Sequence, residues 1–124
     1  MGRDSKGAAA VEFALVLPIL LVLVLGIIEF GYLAYANASA AGAAREGARV
    51  MALTDNEAAA RATAADYFVM SGVTPEITVK ACGFDSSVST ESVQVRVAYK
   101  YGSLTGWFGS NLSAHGIGKM RCGG

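Results

Sequence analysis

The stretch Gly7 to Ile28, GAAAVEFALVLPILLVLVLGII, constrains this chain more than any other, because one carboxylate, Glu12, sits near the start of an otherwise uncharged apolar run. Nothing titrates between Phe13 and Ile28, and Ala8 to Val11 and Phe30 to Ala36 extend the apolar stretch at either end. At about 1.5 Å per helical residue, the roughly 20 residues needed to cross a bilayer are present. A free carboxylate at that depth costs a few kcal/mol or more unless it is paired, so Glu12 is a functional candidate by default.

Charge at the edge of the run sets its orientation. Arg3 and Lys6, together with the amino terminus, outweigh Asp4 on the short N-terminal side, which places that end in the cytoplasm and the bulk of the chain outside. The chain has 124 residues, 53% of them hydrophobic, with 10 acidic and 10 basic side chains. Only about 90 residues follow the apolar run, enough for one small core that needs help to be stable. Zero net charge and the lack of a basic cluster argue against nucleic acid as a partner.

Three readings compete for the N-terminal segment. A cleaved secretory signal has an apolar core of about 7 to 15 residues before a small-residue site; Ala36-Asn37-Ala38 or Ala38-Ser39-Ala40 would serve as that site, but the apolar core here is longer. A plain signal anchor fits the hydropathy and leaves Glu12 without a reason. A pilin-like processing and assembly signal accounts together for the basic leader Met1 to Lys6, Gly7, the small residues Ala8 to Ala10, and Glu12.

The helix is expected to continue beyond the membrane. Gly31 to Met51 is rich in small residues, and Ala36, Ala40, Ala44 and Ala48 recur every four positions as one smooth stripe. Such a stripe lets helix backbones approach closely, and it serves equally well to pack on the chain's own outer domain. Arg45 and Arg49 share a face, with Glu46 beside them, as a polar edge rather than a catalytic set. Pro18 frees the carbonyl of Ala14 and predicts a kink. Glu29, about 25 Å along the helix from Glu12, is expected at the outer interface, where burial costs less.

Beyond the first helix the pattern predicts a small α+β domain. Thr54-Asp55-Asn56-Glu57 has the form of a capping box, with the Thr54 hydroxyl on the first free amides and a second helix following to Ser71-Gly72. Ala60, Ala64, Tyr67 and Phe68 form its apolar face. After Thr74-Pro75 the period changes to two. Glu76 to Cys82 alternates with Ile77, Val79 and Ala81 on one side, and Ser92 to Tyr99 places Val93, Val95, Val97 and Tyr99 together. Gly83 to Ser89 is a polar turn region joining these two strands as an antiparallel hairpin. Ser110 to Cys122 is a weaker third strand, diluted by Gly116 and Gly118.

In an exported setting Cys82 and Cys122 have one intramolecular pairing, which ties the first strand to the end of the last; reactive thiols or an intermolecular bridge are the alternatives. Catalytic machinery is not expected. His115 is the only histidine, and no spacing sets a nucleophile beside a base and an orienter. Cys82, His115 and Cys122 lack the paired short spacing of a zinc site, and Gly116-Ile117-Gly118 lacks the context of a nucleotide loop. No cofactor, metal or small-molecule substrate is therefore expected. Trp107 and Phe108, beside Gly106 and Gly109, suit either a binding loop or closure of the core.

The run GAAAVEFALVLPILLVLVLGIIEFGYLAYANASAAGAAREGARVMA resembles the N-terminal signature of TadE-like minor pseudopilins of the tight-adherence (Tad) pilus system. Gly7, the Glu12-Phe13 pair, Pro18, the IIEFG segment and AAREGAR carry the resemblance; the VQVRVAY strand, the Trp107-Phe108 loop and Met120-Arg121 match more loosely. It implies a cytoplasmic leader over residues 1–7, cut by a prepilin peptidase between Gly7 and Ala8. It further implies an N-terminal helix over 8–52, with the membrane span at about 11–35, and a small extracytoplasmic domain over 53–124. The implied location is the bacterial cytoplasmic membrane, crossed once. The implied partners are the lipid membrane, the peptidase, other pilins and pseudopilins, and the assembly platform, with Glu12 and Phe13 as assembly residues. A membrane-anchored interaction or adhesion domain that never enters a filament is the alternative.

Overall fold

The computed structural model describes residues 2–68, 73–82 and 92–122, with the side chains of residues 2–4 left out. In chain order these form α1 (Gly2–Thr54), α2 (Glu57–Tyr67), β1 (Glu76–Lys80), β2 (Ser92–Tyr101) and β3 (Leu112–Arg121). The fold is α+β, with a long apolar N-terminal helix, a second helix, and an antiparallel sheet of order β1-β2-β3. Two compact units divide the chain, Met1–Tyr32 and Leu33–Gly124.

The first unit is helical throughout its described residues. α1 passes through Pro18 without interruption. Most of its large side chains from Val11 to Ile28 are exposed, Leu17 and Leu25 being half-buried, and it contributes an apolar window long enough to cross a membrane with none of that window buried. Such a surface has no stable place in water and matches a lipid environment.

In the second unit the helical residues 33–54 fold with α2 and the sheet. The stripe Ala36, Ala40, Ala44 and Ala48 is fully buried, joined by Ala43 and Met51. β2 is the central strand, and its inward face, Val93, Val95, Val97, Tyr99 and Tyr101, forms the middle of the core. At the centre, a Cβ added to Gly47 would lie 3.0 Å from the Ala64 methyl and 3.2 Å from Val95 Cγ1. α1, α2 and β2 thus meet at methyl-to-backbone range, which larger residues would prevent. Phe68 stacks edge-on against Tyr99 with ring centroids 4.7 Å apart, and Tyr101 lies 5.6 Å beyond.

Several local expectations are corrected. α2 is capped by Asn56, whose side-chain oxygen accepts from the Ala59 amide at 3.2 Å. The Thr54 hydroxyl instead donates back to the Val50 carbonyl at 2.7 Å, because α1 runs two residues further than 52 and keeps Thr54 in its last turn. Asp55 makes the break with φ 49°, a left-handed conformation that aspartate tolerates, while its amide donates to the Met51 carbonyl. α2 ends at Tyr67, ahead of Ser71-Gly72, which lie outside the described residues. Tyr67 is 55% exposed rather than part of the apolar face; the extended backbone at Phe68 turns that ring inward in its place. β1 stops at Lys80, so Ala81 and Cys82 follow the strand rather than belong to it, and both are exposed. The expected turn Gly83 to Ser89 lies outside the described residues.

Candidate functional site

Gly7, Ala8, Glu12 and Phe13 all lie on α1 with exposed side chains or, for Gly7, an open surface. A Cβ at Gly7 would meet nothing within 4 Å. Glycine in a helix interior costs up to about 1 kcal/mol relative to alanine, and no packing among the described residues requires it there. Ala8 precedes Glu12 by one helical turn, a rise of about 6 Å. Among the described residues, the Glu12 carboxylate makes no hydrogen bond or ion pair, unlike Glu57, which pairs with Arg61 at 2.6 Å on the exposed surface of α2.

Glu29 behaves differently from the expectation of an interfacial residue. It is 7% exposed, the one buried charged side chain among the described residues, and it is not without a partner. Sequence position could not foresee this, since the neighbouring Phe30 and Ile28 remain exposed.

The small-residue stripe, by contrast, finds its partner within the second unit. A Cβ on Gly116 would fall 2.3 Å from the Ala41 amide nitrogen, and one on Gly118 would fall 2.3 Å from the Ala44 carbonyl oxygen. The two glycines that dilute the β-propensity of the third strand are the positions at which strand and helix backbones touch. They alternate inward with Ala114 along β3, as the pleat requires.

Cys82 and Cys122 form a disulfide with Cα atoms 6.1 Å apart, which leaves neither thiol for metal binding or nucleophilic chemistry. His115 is exposed and pairs across the ladder with Ala98. Among the described residues no group of three or more His, Cys, Asp or Glu side chains converges.

Of two surface features, the sequence does not reveal the first and leaves the second open between a binding loop and closure of the core. The sheet register gathers Lys80, Arg96, Lys100, Lys119 and Arg121, all exposed, on the face turned away from the core, with Glu76 among them. These cations are scattered along the chain and only strand pairing brings them side by side. The second feature is the connection between β2 and β3, where Trp107 is 70% and Phe108 61% exposed. Those rings do not close the core.

Comparison with known proteins bears on the N-terminal segment. A family model described as TadE-like protein matches residues 7–49, so the chain carries a TadE-like domain there, which points to a component related to the Tad pilus. The match begins at Gly7, covers Glu12 and the apolar run, and ends with the buried alanine stripe; α2 and the sheet lie beyond it. No curated protein and no solved structure matches the chain.

Proposed function

With a TadE-like domain as premise, we propose that the chain is a minor pseudopilin, a non-enzymatic structural component of Tad pilus assembly that acts in initiation or assembly of the pilus. A prepilin peptidase cuts between Gly7 and Ala8 on the cytoplasmic face, and the mature chain stays in the cytoplasmic membrane with its α+β unit outside. The observation that carries this reading is Glu12, a carboxylate on an exposed apolar helix with no partner among the described residues. An α-amine is largely protonated near neutral pH, so cleavage creates a cation at Ala8. In a neighbouring subunit of the assembly that cation neutralises Glu12. Two opposite charges in a low-dielectric setting favour the one register that joins them, because every other register leaves both unpaired. Gly7 supports the same reading, since an open helix surface there gives a peptidase a cut site without a side chain.

Intact mass of the mature protein tests the processing step. A chain lacking residues 1–7 is expected; an intact N-terminus refutes it, and a terminus near Ser39 to Ala41 marks a secreted protein instead. Glu12→Ala is expected to insert and be processed normally yet to abolish piliation. Full piliation in that variant removes the pairing role. The exposed Trp107 and Phe108 favour a second reading, a membrane-anchored interaction domain outside any filament, for which the N-terminus stays uncut.

A further inference from the structure

Residues 102–111 connect β2 to β3 in an ordered turn rather than a loose one. The Ser103 amide donates to the Gly109 carbonyl at 3.1 Å, the Gly106 amide to the Ser103 carbonyl at 3.3 Å, and the Phe108 amide to the Ser103 hydroxyl at 3.4 Å. Gly106 and Gly109 take φ values of 75° and 87°, where a side chain would be strained. This framework holds Leu104, Trp107 and Phe108 outward, at 56%, 70% and 61% exposure. No charged residue occurs from Gly102 to Ser113, although Lys100 and His115 flank that stretch. An ordered loop that keeps three large apolar side chains in water forgoes the stabilisation that burial would give each of them.

The direction of β3 tells where this loop lies in the second unit. Gly116 abuts Ala40 and Ala41, and Gly118 abuts Ala44 and Arg45. Two strand residues, about 6.8 Å, therefore match four helical residues, about 6 Å, and the strand runs in the same direction as the helix. Reading back from Gly116 to Leu112 covers about 13 Å, more than the roughly 10 Å from Ala40 back to Leu33. The loop thus stands at the end of the unit where Leu33 enters, and Leu33 directly follows the apolar run in sequence.

We propose that Leu104, Trp107 and Phe108 form a second membrane contact, seated in the interfacial layer of the leaflet from which the span emerges. This rests on the apolar helix being a membrane span and not on the pilus role. Tryptophan and phenylalanine flanked by uncharged residues suit that layer, where the indole N–H meets headgroups and the ring meets acyl chains. Three side chains of this size bury roughly 600 Å² at most, below the ~800 Å² per partner of a stable protein interface. A lipid surface needs no such area. The loop would give the outer unit a contact with the bilayer of its own, besides the covalent one through α1.

Trp107 is the only tryptophan, so its fluorescence reports this loop alone. The full chain is reconstituted at low density in phosphatidylcholine nanodiscs whose acyl chains are brominated at a shallow or a deep position. Trp107 is expected to be quenched more by the shallow bromine than the deep one, with a several-fold lower iodide quenching constant than free tryptophan. The double variant Leu104→Ser, Phe108→Ser, which alters only exposed positions, is expected to restore iodide access. Free iodide access without bromine quenching overturns the proposal. Shielding from iodide without bromine quenching also overturns it, since protein then covers the loop. A chain that fails to co-float with lipid on a density gradient refutes the span itself and is read separately.

Discussion

Replacing Gly118 by alanine adds one methyl group where the structure has no room for it. Its Cβ would sit 2.3 Å from the Ala44 carbonyl oxygen, 2.5 Å from the Ala44 carbonyl carbon and 2.7 Å from the Arg45 nitrogen. Ordinary contact begins at 3.4 Å, so strand and helix must part by about 1.1 Å along that line. All three obstacles are backbone atoms, and no rotamer change relieves them. Separation also loosens the buried stripe of Ala40, Ala44 and Ala48. Overpacking of this kind costs ~1–3 kcal/mol, at the upper end where backbone must move. Alanine recovers up to ~1 kcal/mol by narrowing the unfolded ensemble. The expected net loss is ~2 kcal/mol, about thirty-fold in the unfolding equilibrium. Gly42 supplies the control: it lies exposed on the same helix, with nothing within 4 Å of an added Cβ, so Gly42→Ala should stabilise by roughly 0.5–1 kcal/mol. Urea unfolding of the full chain in detergent micelles, followed by near-ultraviolet circular dichroism of the Phe68, Tyr99 and Tyr101 cluster, reads both. If Gly118→Ala unfolds at or above the wild-type midpoint, close helix-to-strand approach is not why glycine stands there.

The same unfolding measurement separates three further changes. Asn56→Ala should cost ~1 kcal/mol by removing the cap on α2, whereas Thr54→Ala should stay within ~0.5 kcal/mol, since its hydroxyl only bonds its own helix; equal losses would put the cap back at Thr54. Reducing the disulfide, or replacing Cys82 and Cys122 by serine, should destabilise the second unit by roughly 4 kcal/mol for a sequence separation of 40, seen as a lower urea midpoint on adding reductant. Arg61→Ala removes the ion pair to Glu57 and a bond to the Ile77 carbonyl, yet should shift stability by no more than ~1 kcal/mol, because the Arg61 and Glu57 side chains are about half exposed.

Where local pattern and tertiary packing agree, the fold was legible in the sequence. The alternation at Val93, Val95 and Val97 marks a strand with one buried face, and nothing else in the fold competes with it. The four-residue recurrence of alanine marks a contact stripe but does not say which surface meets it; that depends on Gly116 and Gly118, more than sixty residues away in the chain. Read alone, those glycines look like weak strand residues, because propensity scores a glycine by what it lacks and not by what approaches it. The cap at Asn56 was misplaced by two residues, since Thr54, Asp55 and Asn56 are all competent caps and only the true end of α1 decides among them. The exposure of Trp107 and the cationic sheet face were beyond reach for the same reason as the stripe's partner: each is fixed by register and by which elements cover the sheet. Glu12 stood out because its anomaly is local, a charge in an apolar run.

Burial of the alanine stripe narrows how subunits of this kind can associate. Ala36, Ala40, Ala44 and Ala48 are spent inside the second unit, so that stripe is not offered to a neighbour, although Ala38 and Gly42 on the opposite side remain exposed. On the proposed assembly role, contacts between membrane-spanning helices fall to the exposed apolar run from Val11 to Ile28. Leucine and valine faces in lipid have little to choose between one register and the next, because the tails they would leave are as apolar as they are. A charge has much to choose. On the proposed assembly role, Glu12 therefore sets register in the part of the helix where packing alone sets none, and the two classes of variant should part cleanly. Enlarging Gly116 or Gly118 should unfold the outer unit whether or not subunits meet, and neutralising Glu12 should leave that unit's unfolding curve unchanged while assembly fails. A Glu12→Ala chain with a lowered urea midpoint would tie that carboxylate to the fold itself and remove it from the contact between subunits.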